Sequence, residues 1–78
     1  MRGIQCKLAR VALDWGVLDL AQAANVSTQT ITRLERGEEL RASTLQKIRD
    51  VLENAGIEFI PENGGGVGVR FAQPSKPA

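Results

Sequence analysis

The sequence predicts a mainly α-helical fold, in which four to five helices are followed by a short C-terminal β-hairpin. Up to Ala55, apolar residues recur at intervals of three and four, which is the periodicity of amphipathic helices. From Ile57 onward, two short runs of alternating apolar residues flank a glycine-rich turn, which is typical of a hairpin. We therefore expect a helical domain in residues 1–56, a hairpin in residues 57–72 and a disordered, proline-containing tail in residues 73–78.

The size and composition of the chain are those of a small soluble protein. It has 78 residues, of which 42% are hydrophobic and 24% are charged, and no apolar run approaches the roughly 18 residues needed to span a bilayer. Its single cysteine excludes an internal disulfide. We expect a cytoplasmic protein without a membrane partner, and we expect it to oligomerise because so short a chain buries little surface by itself.

The charges are distributed unevenly along the chain. The formal net charge is only +1, but residues 1–49 contain eight basic residues and five acidic ones. The helical part therefore carries the positive charge, which agrees with a surface that faces DNA.

The first helix is predicted over residues 4–14. Its core-facing stripe is expected to hold the apolar residues at helical spacing, namely Ile4, Leu8, Val11, Ala12 and Trp15. Cys6 lies off this stripe, on a second apolar arc with Ala9 and Leu13. Because no cation is placed to make its thiolate reactive, we interpret Cys6 as a packing residue.

Residues 18–37 predict two short helices joined by a tight turn. Asn25 is suited to the left-handed conformation that ends the first of these helices. Ser27 then supplies a side-chain oxygen for the N-cap of the second helix, and Gly37 ends that helix. The stretch is therefore predicted to be a helix-turn-helix.

The second helix of this motif carries a row of polar residues that packing does not require. Its outward residues are expected to be Thr28, Gln29, Thr32, Arg33 and Arg36. In the major groove of DNA, Gln pairs with adenine and Arg pairs with guanine. DNA is therefore the expected partner of this face. The alternative is an ordinary helical hairpin whose polar face meets water.

The motif as a whole resembles the Xre-type helix-turn-helix family, the small phage-repressor-like (Cro/repressor) regulators of bacteria. The resemblance extends over residues 4–55 and rests on Leu20, Ala21, Asn25-Val26-Ser27, Ile31, Leu34 and Glu35-Arg36-Gly37. It implies a lambda-repressor-like fold and double-stranded DNA as the partner. The residues that it assigns to base reading are Thr28, Gln29, Thr32 and Arg33.

Contacts to the DNA backbone and one structural ion pair are also expected. The residues expected to contact phosphates are Ser27, Arg36, Arg41 and Lys47. For Arg41, a solvated loop arginine is an equally open interpretation. The family also often pairs an arginine of the first helix with the glutamate near the end of the recognition helix, and the matching residues are Arg10 and Glu35. We interpret this pair as structural, because it would join these two helices.

The chain departs from the family pattern at the start of the first motif helix. Where the family commonly has Ser-Gln, with a Gln that contacts a phosphate, this chain has Gly16 and Val17, and Leu18 beside them is apolar. This departure motivates an alternative hypothesis. In it, Val17 and Leu18 bind another regulatory protein, and the chain is an antiactivator or antitoxin-like interaction module.

The C-terminal hairpin is expected to form a homodimer. An isolated two-stranded hairpin is marginal in water, and its open edge favours pairing with a second copy. The residues expected in the dimer interface are Ile57, Phe59, Val67, Val69 and Phe71. The glycines of the turn lack the following Lys-Ser/Thr of a phosphate-binding loop, so we interpret them as a turn only.

Catalysis is not expected of this chain. It has no His, no Tyr and one Cys, and its carboxylates do not cluster with a base, so we expect no catalytic, metal or cofactor site. The predicted function is that of a sequence-specific transcriptional regulator that binds an inverted-repeat operator as a homodimer. Since nothing resembles a separate activation or ligand-sensing domain, we expect a repressor.

Overall fold

The computed structural model describes residues 1–72 and contains four α-helices followed by a two-stranded antiparallel hairpin. The elements are α1 (Gly3–Ala12), α2 (Val17–Ala24), α3 (Thr28–Glu35), α4 (Ala42–Asn54), β1 (Ile57–Ile60) and β2 (Gly68–Phe71). The predicted fold class is confirmed. The tail predicted over residues 73–78 lies outside the described residues. Within residues 1–72, none of the helices has both the length and the apolar content needed to cross a membrane.

A hydrophobic core joins the four helices to the first strand. Its buried residues are Cys6, Ala9, Leu20, Ala21, Ala24, Ile31, Leu34, Ile48, Leu52 and Ile57. α2 and α3 pack against each other, α4 covers α2 and β1, and α1 lies against α3 and β2. α3 is thus held by its inner face, and its outer face is left to solvent.

The predicted core stripe is wrong for its members within α1, because the helix turns its other apolar arc inward. Ile4, Leu8 and Val11 are 51%, 42% and 61% exposed. Cys6 and Ala9, on the arc that was expected to be secondary, are fully buried instead. Both arcs have helical spacing, so periodicity alone could not choose between them.

Two contacts of α1 explain its orientation. The side-chain amide of Gln5 donates hydrogen bonds to the carbonyl oxygens of Ile60 and Gly68, at 3.1 and 2.9 Å, which turns the Gln5 side of α1 toward the hairpin. At its N-terminus, α1 also approaches the backbone at the end of α3. A Cβ atom on Gly3 would lie 2.0 Å from the Leu34 carbonyl oxygen, so this approach requires glycine.

The turns after α1, α2 and α3 use residues in the left-handed conformation. Asn25 and Gly37, both expected from the sequence to end helices, have φ angles of 56° and 97°. Asp14, with φ of 58°, was not expected to do so. It ends α1 in the same way, since the Trp15 N–H donates to the Arg10 carbonyl oxygen at 2.9 Å. α1 therefore stops early, and Trp15 packs against the core from the following loop.

The hairpin packs on its own chain. Cross-strand pairing joins Ile57 to Phe71 and Phe59 to Val69, so these four side chains share one face. Ile57 is only 2% exposed, and Phe59 and Val69 pack against the core. The guanidinium of Arg49 on α4 lies 5.3 Å from the centroid of the Phe59 ring. The core of its own chain therefore covers Ile57, whereas the assignment of the hairpin to a dimer interface stays a prediction.

Candidate nucleic-acid interface

α3 presents the candidate interface because its opposite face is anchored. Ile31 and Leu34 are buried at a spacing that puts them on one side of the helix. At the start of α3, Ser27 Oγ accepts a hydrogen bond from the Thr30 N–H at 3.1 Å and makes a second one with the Thr30 hydroxyl at 2.8 Å. The anchor fixes the rotation of the helix, and the cap fixes its first turn.

The four predicted base-reading residues all lie exposed on the outer side of α3. They are Thr28, Gln29, Thr32 and Arg33. The Thr32 hydroxyl donates to the Gln29 carbonyl oxygen at 3.0 Å, which commits its proton to the helix backbone. Thr32 therefore offers a methyl group and an acceptor oxygen, whereas Gln29 keeps an amide that both donates and accepts.

A carboxylate at the end of α3 contacts the basic residues of this surface. Arg33 Nε donates to Glu38 Oε1 at 3.0 Å, and Arg36 Nη1 lies 3.9 Å from Glu38 Oε2. Sequence reasoning missed Glu38. The available signal was an acidic residue placed directly after Gly37, the residue that ends the helix.

The other predicted ion pair lies on the inner side of α3. Arg10 and Glu35 make two hydrogen bonds, from Nε to Oε2 and from Nη2 to Oε1, both at 2.9 Å. Arg10 Nη1 also donates to the Trp15 carbonyl oxygen at 3.1 Å. The two side chains are 13% and 10% exposed. The hydrogen bond to Glu35 raises the pKa of Arg10 above its ordinary value, so Arg10 stays charged. Its two hydrogen bonds to Glu35 tie α1 to α3.

The Cys6 thiol belongs to this inner cluster. Its Sγ atom donates to Glu35 Oε2 at 3.6 Å. Burial raises the pKa of Cys6 to about 12, and the charge of Glu35 adds to the effect. The thiol is therefore neutral at physiological pH, as expected of a packing residue.

The predicted phosphate contacts fall into two groups. Ser27 and Arg36 stand at the two ends of α3, where their side chains flank the outer surface. Arg41 and Lys47 belong to the next helix, with Arg41 at its N-cap and Lys47 exposed on its second turn. Because α4 packs mainly on α2 and β1, Lys47 is not part of the α3 surface.

The N-terminus of α2 carries an acidic cap. The Gly16 N–H donates to the Asp19 carboxylate at 2.7 Å. Val17 is half-buried against the core, whereas Leu18 is 58% exposed. The negative charge of Asp19 opposes a phosphate at this corner. Asp19 was not singled out from the sequence, although an acidic residue three positions after a helix N-cap is a recognisable signal.

Residues 7–58, two thirds of the chain, match the sequence model of a family described as helix-turn-helix. The match runs from within α1 to the beginning of β1 and includes all four exposed residues of the outer α3 surface. Among curated proteins, none matches the chain.

Proposed function

We propose that this chain, which belongs to the Xre-type helix-turn-helix family of DNA-binding regulators, is a repressor that binds an inverted-repeat operator as a homodimer. The observation that carries the proposal is the outer surface of α3, where exposed polar side chains stand on a helix anchored by Ile31 and Leu34. A rigid helix with amide, hydroxyl and guanidinium groups on one side is suited to read the major groove.

Each residue of this surface has a distinct role in the proposal. Gln29 pairs with adenine through its amide, and Arg33 pairs with guanine through its guanidinium. Thr28 and Thr32 offer methyl groups to thymine, which suits Thr32 because its proton is already used within the helix. The backbone at the N-terminus of α3, capped by Ser27, receives a phosphate.

Phosphate contacts by Arg36 and Arg41 add affinity without sequence information. Both side chains are exposed. Lys47 joins them only if the DNA backbone reaches α4. Each contact that forms releases counterions, so binding should weaken steeply with salt.

The homodimer is proposed to use the part of the hairpin that the core leaves uncovered. Phe71 is 47% exposed and Val67 is half-buried. β2 lies beside α1, and the outward stripe of that helix adds three exposed apolar residues, Ile4, Leu8 and Val11. In the proposal, the second copy binds the other half-site of the operator, about one helical turn away.

The dimer surface is tested with Phe71→Ser, compared with Leu18→Ser as a control. Leu18 is equally apolar and 58% exposed, but it lies on α2. Sedimentation equilibrium should show at least a tenfold weaker dimer for Phe71→Ser and an unchanged dimer for Leu18→Ser. Equal dimer strength in all three proteins would reject this surface.

DNA reading is tested by in vitro selection from random duplex DNA, with purified wild type and Arg33→Ala. We expect wild type to recover an inverted repeat. Arg33→Ala and Gln29→Ala should bind it more weakly by about 1 to 3 kcal/mol per half-site. Arg70→Ala is the matched control, because Arg70 is an exposed arginine paired with Glu58 on the hairpin. If Arg33→Ala binds the repeat no worse than Arg70→Ala, the recognition surface is wrongly assigned.

The alternative function, binding of another regulatory protein, keeps one supporting observation. Leu18 is exposed beside the acidic cap of α2, where the resemblance expects a phosphate contact. Val17 contributes less, because it already packs against the core. Recovery of no sequence above background at low salt would favour this alternative over the repressor.

A further inference from the structure

Glu38 is held against Arg33 by the way in which α3 ends. The Gly37 N–H donates to the Leu34 carbonyl oxygen at 2.9 Å, and the Glu38 N–H donates to the Arg33 carbonyl oxygen at 3.0 Å. With φ of 97° at Gly37, these bonds form a Schellman motif. The backbone of Glu38 is therefore fixed over the last turn of the helix, next to the side chain of Arg33.

The side chain of Glu38 makes a second contact with the same residue. Arg33 Nε donates to Glu38 Oε1 at 3.0 Å, and both side chains are about half exposed. An exposed ion pair of this kind contributes little to stability. Its consequence is geometric, because it restricts the rotation of a long side chain that would otherwise sample many rotamers.

The contact uses one particular nitrogen of the guanidinium. Arg33 Nε donates to Glu38, and the terminal nitrogens Nη1 and Nη2 make no hydrogen bond to the described residues. Arginine reads guanine by donating two parallel hydrogen bonds to O6 and N7. The two terminal nitrogens can supply both of these bonds while Nε stays on the carboxylate.

We propose that Glu38 is a positioning residue that sets the guanine preference of Arg33. This inference rests on the proposed DNA-binding function. Glu38 holds the guanidinium in one orientation before DNA arrives, so less conformational freedom is lost on binding guanine. Its negative charge also disfavours the use of Arg33 as a general phosphate contact.

A competing role for Glu38 has the opposite consequence. If the carboxylate only blocked Arg33, removing it would strengthen binding to every DNA sequence alike. If it positions Arg33, removing it should weaken the preference for one base pair and leave binding to random DNA unchanged or stronger.

The experiment compares full-length wild type, Glu38→Ala and Glu38→Gln, with Glu39→Gln as the control. Glu39 is the neighbouring exposed carboxylate and has no ion-pair partner among residues 1–72. Each protein is titrated with the selected operator, with operators in which each G·C pair is changed to A·T, and with random DNA. Replacing the guanine that Arg33 reads should weaken DNA binding by wild type about 5- to 150-fold. The same replacement should not weaken DNA binding by Arg33→Ala, and this difference identifies the guanine.

At that position, the preference for G·C over A·T should be at least threefold smaller for Glu38→Ala than for wild type. Glu38→Gln should retain more of it, because its amide oxygen can still accept from Nε. Glu39→Gln should shift all affinities together and leave discrimination unchanged. A Glu38→Ala protein with wild-type discrimination would overturn the inference, as would an operator without any Arg33-dependent guanine. Failure of wild type to select any operator is a separate result, which rejects the proposed function itself.

Discussion

The inner and outer sides of α3 each carry an arginine–glutamate pair, and the two pairs differ mainly in their contact with water. Arg10–Glu35 on the inside and Arg33–Glu38 on the outside both use the arginine Nε, at 2.9 and 3.0 Å. The inner side chains are 13% and 10% exposed, whereas the outer ones are 53% and 43% exposed. The same chemistry therefore operates at two very different degrees of solvation.

Solvation decides what each pair can do. A charge that is mostly removed from water depends on its partner, so breaking the inner pair leaves an expensive unpaired ion. Water replaces a lost partner on the outside, so breaking the outer pair costs little stability. The inner pair joins α1 to α3, and the outer pair orients a side chain that faces solvent.

The largest expected effect is that of Arg10→Met on stability. It removes the two hydrogen bonds that Arg10 donates to the Glu35 carboxylate in a mostly buried site. We expect the free energy of unfolding to fall by about 3 kcal/mol. Arg33→Met, the same change on the outer side, should cost less than about 1 kcal/mol. Urea denaturation at neutral pH measures both values.

A double substitution shows whether the unpaired charge is the cause. Arg10→Met combined with Glu35→Leu should be more stable than Arg10→Met alone, because no buried ion is left without a partner. Similar losses for Arg10→Met and Arg33→Met would contradict the distinction between the two sides of α3.

A smaller effect is expected from Gly3→Ala, which acts on the inner side without removing a charge. The added Cβ would lie 2.0 Å from the Leu34 carbonyl oxygen, so α1 must move away from α3. We expect a loss of about 2 kcal/mol, which is typical of overpacking.

Gly65→Ala is the matched control for this substitution. Gly65 lies in the hairpin turn, where a Cβ would meet no atom within 4 Å. It should change the free energy of unfolding by less than about 0.5 kcal/mol. Equal losses at the two positions would show that α1 does not depend on this close approach.

The parts of the fold that follow local rules could be predicted from the sequence. Asn25, Ser27 and Gly37 set the ends of α2 and α3 through backbone conformation and capping, which act within a few residues. The outward direction of the polar residues on α3 followed from their spacing relative to Ile31 and Leu34. For these reasons the helix-turn-helix was predicted correctly.

The parts that depend on tertiary contacts could not be predicted in this way. The rotation of α1 depends on Gln5, whose side-chain amide donates hydrogen bonds to carbonyl oxygens more than fifty residues away. The burial of Ile57 within its own chain depends on how the hairpin meets α4. Glu38 was missed because its importance lies in a side-chain contact with Arg33, and residue type alone does not show that contact.

The smallest effect concerns pH and again separates the two sides of α3. Burial beside Glu35 raises the pKa of Cys6 from 9.0 to about 12, so the folded state keeps the thiol protonated where the unfolded state ionises it. The stability that this provides is complete below pH 9 and is lost as pH rises from 9 toward 12. When the pH is raised from 7.5 to 10, the free energy of unfolding should fall by about 1.4 kcal/mol more for wild type than for Cys6→Ala.

Thiol reactivity gives an independent measurement of the same difference. In folded wild type at pH 8, Cys6 should react with a disulfide reagent only as fast as the protein opens, because the thiol is buried and neutral. A cysteine introduced by Thr32→Cys in a Cys6→Ala background stands on the exposed outer surface and should react at the rate of a free thiol. Equal reaction rates for the two cysteines would mean that water reaches the inner cluster. In that case, the small pH effect and the large effect of Arg10→Met should both disappear, because both depend on the exclusion of water from Glu35.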